Sequence, residues 1–221
     1  MMLPYSVEVF FASMAEYYST WFPAAPVAAL LSLVALILVM RPQSGRADTG
    51  DRLAGALLAA AWIWVGAVQQ LQHMANLDFM APIYGAAWIA QGGLIALSCT
   101  VPGRVRFRFD GDARGRAGLA LALLGLVGYP LAVWSLGYEW RALPLVGVAP
   151  HPTVMFTAGV LVAARDRPPL HLFVVPLVWA GVAGVSAWLL EFPLDYAVPA
   201  VVLSAAVYAW WSCRKPRISR I

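Results

Sequence analysis

Charged residues are scarce in this 221-residue chain, and none interrupts its long apolar stretches. Only 12% of the residues are Asp, Glu, Lys or Arg, whereas 62% are hydrophobic. A soluble domain carries about 25% charged residues. Because a soluble globule of this size still needs a polar exterior, the composition excludes an ordinary soluble domain and predicts a membrane protein.

Other absences narrow the function. The two cysteines, Cys99 and Cys213, are too few for a disulfide scaffold and have no partner at metal-site spacing. The only lysine, Lys215, lies near the C-terminus, which excludes a retinal Schiff base within the last helix. No predicted span has a charge at its centre, so a proton relay has no candidate. Nucleophile-elbow, zinc-helix and phosphate-loop motifs are also missing, and no catalytic residue is predicted.

The hydropathy pattern predicts an all-α, polytopic transmembrane helical bundle in one domain, 1–221. About 20 apolar residues cross a bilayer, which predicts seven spans at 21–40, 53–72, 79–101, 117–138, 143–164, 168–190 and 196–213. A basic cytoplasmic tail, 214–221, follows them.

An amphipathic helix is predicted ahead of the first span, within 1–20. Its apolar residues recur at spacings of three and four, which is typical of a helix lying in the membrane interface, here on the outer side. They are Val7, Phe10, Phe11, Met14 and Tyr18. The opening residues lack the basic region of a cleavable signal peptide, so none is expected.

The basic residues predict the orientation. Of the 15 Lys and Arg residues, 14 fall in alternate loops: three after span one, five in "RVRFRFDGDARGR" after span three, two after span five and four after span seven. Since basic residues accumulate on the cytoplasmic side, we expect an inner (plasma) membrane protein with its N-terminus outside. The arginine cluster is expected to meet lipid head groups rather than nucleic acid. The acids of the other side, among them Glu139, Glu191 and Asp195, are expected to be solvated in outer loops.

The fifth span contains three prolines, Pro144, Pro150 and Pro152. Proline removes a backbone donor and breaks a helix, so only the half after Pro152 is predicted to be helical. Irregular backbone at membrane depth often forms a binding site in transporters. The alternative is an ordinary outer loop that leads into a short, tilted helix.

Polar residues near this break are the candidate ligand-binding residues: His73, Gln91, His151, Thr153, Gln70 and Tyr129. Gln70 and His73 share a predicted helical face with Gly66 and Gln69. Imidazole with thioether suits a soft metal, which makes His73, His151 and Met155 candidate metal ligands, although such residues also fill gaps at helix ends. No cofactor is predicted, and a metal or haem stays an alternative. Gln91 either bonds a neighbouring helix or lines a solute path.

Several motifs resemble a family of uncharacterised bacterial multi-pass membrane proteins, domain of unknown function 6064. They are "MLPYSVEVFFASMAEY", "AAAWIWVG…H", "LVGYPL", "GVAPHPT" with "FTAGVLV", and "VVPLVWAGVAGVSAWLL". The resemblance covers most of the chain and implies that similar proteins often have cysteine at position 151 and histidine at position 70. It implies no activity.

The sequence therefore predicts a protein that binds or transports a small solute at the broken fifth span. One alternative is a non-catalytic accessory subunit of a larger membrane complex, which needs only apolar faces for its partners, whereas a transporter should be complete alone or as a homo-oligomer. The other is a metal- or haem-binding membrane enzyme.

Overall fold

The structure, a computed structural model, describes residues 5–41, 48–100, 105–107, 111–164 and 169–214. The described chain is 83% helical and has no strand, which confirms the all-α prediction. The basic tail after Arg214 and the arginines at 46, 104, 108, 165 and 167 lie outside these residues.

The helices follow one another with short connections. Their bounds are α1 Val7–Thr20, α2 Ala24–Met40, α3 Asp48–Trp64, α4 Ala81–Thr100, α5 Ala113–Leu123, α6 Tyr129–Ser135, α7 Pro150–Val162, α8 Val174–Leu189 and α9 Ala197–Arg214. Two π-helical segments extend them: Val65–His73 continues α3, and Leu124–Gly128 joins α5 to α6. Four 3₁₀ turns lie at Met74–Asn76, Trp140–Ala142, Leu170–Phe173 and Pro193–Tyr196.

The number of spans differs from the sequence prediction. Within the described residues, four helical stretches are long and apolar enough to cross a membrane, or five if the bent pair α1 and α2 counts as one span. The four are Thr49–Asn76, Ala113–Ser135, Leu170–Leu189 and Pro193–Arg214. The described helices therefore support four or five spans rather than the predicted seven.

Length and polarity explain the difference. The fifth predicted span has only 13 helical residues in α7, about 20 Å of helix against a hydrocarbon core about 30 Å thick. The first, α2, has 17 residues and meets α1 at 90°. The third, α4, is long enough at 20 residues but contains Gln91, Pro82 and three glycines. Its composition, not its length, leaves it outside the four candidate spans.

Helix α1 begins where the sequence predicts an amphipathic helix. Ser6 caps it by accepting a hydrogen bond from the Val9 N–H, 3.4 Å away. Its apolar face packs on the rest of the protein, because Phe11, Met14 and Tyr17 are buried and Phe11 stacks on Tyr138 at 3.7 Å. This face is therefore largely covered by the protein's own loops.

Helix α7 lies at the centre of the bundle. Every residue from Pro152 to Val162 is buried, and α7 contacts α5, α8 and α9 as well as the π-helical segment after α5. A helix that is apolar on all sides belongs in an interior. The short helix α7, which corresponds to the fifth predicted span, is therefore surrounded by protein.

Close packing holds α7 against α5. A Cβ atom added at Gly159 would lie 2.3 Å from the Ala122 nitrogen and 2.6 Å from the Gly118 oxygen. One added at Gly125 would lie 2.5 Å from the Phe156 nitrogen. Glycine is required at these positions because the two backbones approach too closely for any side chain.

Contacts gather the basic and acidic residues at opposite ends of the bundle. At the basic end, the Asp51 carboxylate accepts a hydrogen bond from the Phe107 N–H at 3.2 Å, and Arg114 Nε donates to the Val162 carbonyl at 2.8 Å. At the other end, Tyr138 and Phe192, which are next to Glu139 and Glu191 in the chain, contact Phe11 of α1. Loops that alternate along the chain between basic and acidic residues thus lie at two different ends of the helical bundle.

Replacing Gly159 with alanine tests the contact between α5 and α7. The added methyl group meets backbone atoms that cannot move aside, so we expect Gly159→Ala to lower the free energy of unfolding by about 1–3 kcal/mol. The measurement is thermal unfolding of the purified protein in detergent.

Gly181→Ala is the matched control. No atom lies within 4 Å of a Cβ added at Gly181 in α8, so this change is expected to leave stability unchanged or raise it by up to about 1 kcal/mol. Equal melting temperatures for the two variants would contradict the packing described here.

Candidate functional site

Three side chains from separate elements form a polar cluster at the acidic end. The Tyr129 hydroxyl donates a hydrogen bond to Asp195 Oδ1 at 2.5 Å and lies 3.1 Å from His151 Nδ1. His151 Nδ1 also lies 3.5 Å from Asp195 Oδ1. Tyr129 and Asp195 are 4% and 5% exposed. The cluster is therefore an acid, a phenol and an imidazole in mutual contact within the protein.

The hydrogen-bond partners within the cluster indicate which atoms carry the protons. A hydroxyl has one proton, and a carboxylate only accepts. Because Tyr129 donates to Asp195, its oxygen is left to accept from His151, which places a proton on Nδ1. In the described part of the chain, Nε2 of His151 has no hydrogen-bond partner.

Proline and a π-helical turn position the cluster. His151 lies between Pro150 and Pro152 in the first turn of α7, where proline costs nothing because those N–H groups have no helical partner. Tyr129 begins α6, and its own N–H donates to the Leu124 carbonyl, five residues earlier. Pro130 has no N–H to continue the α-helical ladder, which favours this wider turn.

The cluster borders a cavity of about 80 Å³. The carboxyl and imidazole groups of Asp78, Asp195 and His151 lie in its lining, together with aromatic and amide side chains. The other lining residues are Tyr5, Phe10, Gln69, Gln70, Met74, Tyr84, Pro144, Ala149, Pro150, Trp179, Val182, Ser186 and Leu190.

Two buried groups in this lining lack partners. Gln69 is 1% exposed and Trp179 is 7% exposed, yet neither Oε1 of Gln69 nor Nε1 of Trp179 has a hydrogen-bond partner among the described residues. An unsatisfied buried polar group costs about 1–3 kcal/mol. An unsatisfied acceptor and an unsatisfied donor thus belong to two side chains that line the cavity.

The two carboxylates are held from different sides of the cavity. Asp78 Oδ1 accepts a hydrogen bond from the Met80 N–H at 2.8 Å, in the turn before α4. Asp195 belongs to the 3₁₀ turn before α9. Burial, together with Asp78 and Asp195, raises the pKa of Tyr5 to about 12. This phenol is therefore neutral and lies in the negative field of both acids.

His73 is placed away from the cluster. Its Nε2 lies 2.8 Å from the carbonyl oxygen of Ser13 and 2.7 Å from the Ser13 hydroxyl. Since the carbonyl can only accept, Nε2 carries a proton and donates. The ring also contacts Tyr17 at 5.2 Å. His73 therefore attaches α1 to the end of the π-helical segment and does not line the cavity.

The π-helical segment changes the face that the sequence predicts. The Met74 N–H donates to the Gln69 carbonyl, five residues earlier, so side chains do not recur at α-helical spacing. Gln69 and Gln70 line the cavity, whereas Gly66 packs on the Gly85 backbone.

Gln91 and Thr153 have buried structural contacts. Gln91 donates from Nε2 to the Leu172 carbonyl at 2.7 Å, while its Oε1 has no partner among the described residues. Thr153 donates to the Ala149 carbonyl at 2.6 Å and accepts from the Gly147 N–H at 2.8 Å. Both residues lie outside the lining of the 80 Å³ cavity.

The irregular first half of the fifth predicted span is enclosed by protein. Residues 146–150 are buried, and the Leu145 N–H donates to the Tyr18 hydroxyl at 3.3 Å. Gly147 has φ of +85°, which favours glycine. The helix begins at Pro150, three residues before the predicted start at Thr153. Side chains and turn contacts thus satisfy backbone groups that lipid would leave unpaired.

Metal ligands do not assemble in the described part of the chain: no group of three or more His, Cys, Asp or Glu side chains is close enough to hold an ion. Met155 is 2% exposed and packs against Gly125. The three candidate metal ligands have separate surroundings, since His73 contacts Ser13 and His151 contacts Tyr129.

A larger cavity, about 470 Å³, lies between α2 and α3. Its lining has no charged residue, and the polar side chains there are Thr20, Ser32, Thr153 and Thr157. An open apolar cleft between helices suits lipid chains and offers little specificity. The smaller, polar cavity is the better candidate site.

Sequence reasoning missed the acids. Asp195 was expected to be solvated in an outer loop, but it is 5% exposed and bonded to Tyr129; that expectation is wrong. Its position two residues after Pro193, in the otherwise apolar "FPLDYAVPAVV", was the available signal. Trp179 lines the cavity, whereas the rings of Trp62 and Trp88 stack at 4.1 Å in the core.

The sequence model of a family of unknown function, DUF6064, matches residues 7–220. The chain belongs to this family. No curated protein and no solved structure matches it. The matched range includes Tyr129, His151 and Asp195, so the polar cluster of this DUF6064 protein lies within the family's domain.

Removing the Tyr129 hydroxyl tests the cluster. In Tyr129→Phe, Asp195 loses its donor while it stays buried, so we expect a loss of about 1–3 kcal/mol in the free energy of unfolding. Tyr196→Phe, on an exposed residue of the same turn, should change stability by no more than about 0.5 kcal/mol. Denaturant titration in detergent measures both, and equal effects would refute the cluster.

Replacing His73 tests the attachment of α1. We expect His73→Ala to increase amide hydrogen exchange across Val7–Thr20, because the Ser13 contact is lost. His171→Ala is the control, since His171 contacts Ser98 at the other end of the bundle. Exchange in α1 that stays at the wild-type level would show that other contacts hold the helix.

Proposed function

We propose that this protein is a multi-pass inner-membrane protein that binds a small polar solute in the 80 Å³ cavity beside Tyr129, His151 and Asp195. One observation carries the proposal: carboxylates, an imidazole and unpaired polar groups are concentrated around a cavity of an otherwise apolar molecule. Such groups are costly to bury, and convergent polar groups around a cavity are the usual mark of a ligand site.

The apolar helices support the membrane part of the proposal. At least four stretches of the described chain are long and apolar enough to cross a bilayer, and their outward faces carry large exposed apolar residues such as Leu131, Val178 and Val207. The lipid bilayer is the partner that covers these faces.

The two charged ends support an orientation. Arg52, Arg114, Arg116 and Arg214 belong to the basic end, which in this proposal faces the cytoplasm. Helix α1 and the cavity belong to the acidic end, which faces outward. The solute would therefore enter from outside.

Thiol labelling tests the orientation. In a background with Cys99→Ala and Cys213→Ala, we expect a membrane-impermeant maleimide to label Glu139→Cys in intact cells. It should label Arg116→Cys only after permeabilisation, because both side chains are exposed but lie at opposite ends. The reverse pattern, or labelling of both in intact cells, would overturn the orientation.

Blocking the cavity tests solute binding. Small amines, neutral amides and alcohols, and carboxylates are added separately to the purified protein, and the melting temperature is followed. At least one class should raise it in the wild type, because a ligand that binds only the folded state stabilises that state.

Ser186→Phe should abolish this shift, because Ser186 lines the cavity and the larger ring fills the space. Ser204→Phe makes the same change at an exposed position of α9 and should retain the shift. If none of the compounds produces a shift that Ser186→Phe abolishes, solute binding in this cavity is refuted.

A further inference from the structure

We propose that the cavity binds a small organic cation, an amine or alkylammonium ion, between Asp78 and Asp195 and next to the Trp179 ring. This inference rests on the proposed function and adds the chemical class of the solute.

Charge is the first argument. The cavity lining contains two carboxylates, Asp78 and Asp195, and no lysine or arginine. Each carboxylate uses Oδ1 for a contact within the protein, with the Met80 N–H and with the Tyr129 hydroxyl respectively. In the part of the chain that the structure describes, no partner contacts either Oδ2. Both acids therefore retain an oxygen that can accept from an ammonium group.

Unpaired hydrogen-bonding capacity is the second argument. Gln69 presents Oε1, an acceptor, in a side chain that is 1% exposed and lines the cavity. A primary ammonium has three donors and no acceptor. The two carboxylates supply acceptors for it, and the unsatisfied Gln69 amide lies in the same lining, whereas an anion would meet repulsion from both acids.

Aromatic rings are the third argument. Trp179, Tyr84, Tyr5 and Phe10 line the cavity, and the rings of Trp179 and Tyr84 meet edge to face at 5.5 Å. Ring faces attract cations, most strongly for tryptophan. Tyr5 contributes as a neutral phenol, because its pKa is raised by burial and by the two carboxylates. The walls therefore suit the alkyl part of an amine as well as its charge.

Other ligand classes fit less well. A metal ion needs several protein ligands at short distance, and the described residues provide no group of three. A neutral solute would leave Asp78, whose Oδ1 contacts only the Met80 N–H among the described residues, without a counter-charge.

The size of the cavity limits the ligand. Its volume of about 80 Å³ exceeds the roughly 10–15 Å³ that one water needs and is about half of the 150 Å³ cavity that admits benzene. The ligand therefore has only a few non-hydrogen atoms. Ethylammonium, ethanol and acetate have comparable size and differ in charge, which makes them a matched series of probes.

Isothermal titration of the full-length protein in detergent with these three probes tests the inference. Ethylammonium should bind in the millimolar range, and ethanol and acetate should bind at least about tenfold more weakly, because only the cation pairs with the buried carboxylates. Asp78→Asn and Asp195→Asn preserve an Oδ1 acceptor but remove the charge. Each should weaken ethylammonium binding by about tenfold or more.

Glu139→Gln removes an exposed acid from the same end of the bundle, outside the cavity lining, and should leave ethylammonium affinity unchanged. Circular dichroism checks the fold of each variant. If an aspartate variant does not fold, the order of the three probes on the wild-type protein decides the matter.

The results separate the two proposals. If ethanol or acetate binds as tightly as ethylammonium and Ser186→Phe abolishes that binding, the cavity is a solute site but the cation inference is overturned. If both aspartate variants bind ethylammonium as tightly as the wild-type protein does, the inference is again overturned. If none of the probes or of the wider set of compounds binds the wild type, the proposed function fails as well, and the cavity holds only water.

Discussion

The need to enclose α7 and the irregular chain before it in protein governs this structure. Hydrocarbon cannot pair backbone groups, so a segment that contains three prolines is stable at depth only if other residues provide hydrogen bonds. Tyr18 and Thr153 provide them for the chain between Leu143 and Gly147. Gly118 and Gly159 let α5 approach α7 closely enough to cover it. The helices around this core then present the apolar outer surface.

The polar cavity follows from the same arrangement. Where the irregular chain enters α7, the 3₁₀ turn before α9 brings Asp195 toward Tyr129 and His151. The π-helical continuation of α3 brings Gln69 to the same cavity. None of these elements is a regular α-helix at this point. Departures from regular helix frequently occur at functional sites, because they direct polar side chains to a single place that a straight helix would not reach.

The sequence predicted much of the fold and part of the site. Hydropathy located the helices near their observed positions because apolar runs bounded by charge or proline have few other solutions. It overcounted the spans, since an apolar run looks the same whether lipid or protein covers it, as α7 illustrates. His151, Tyr129 and Gln70 were identified because polar groups in apolar surroundings are rare. Asp78 and Asp195 were missed because acids next to turns are usually solvated.

By itself, the sequence determined the helical class, the apolar surface and the separation of basic from acidic ends, because each depends only on residue type and order along the chain. The tertiary structure decided which apolar helix is central, which face the π-helical segment presents, and that His73 supports α1 while His151 joins Asp195. These outcomes depend on contacts between residues far apart in the chain. No local pattern specifies them, since the partner that satisfies a buried polar group is known only once the helices are packed.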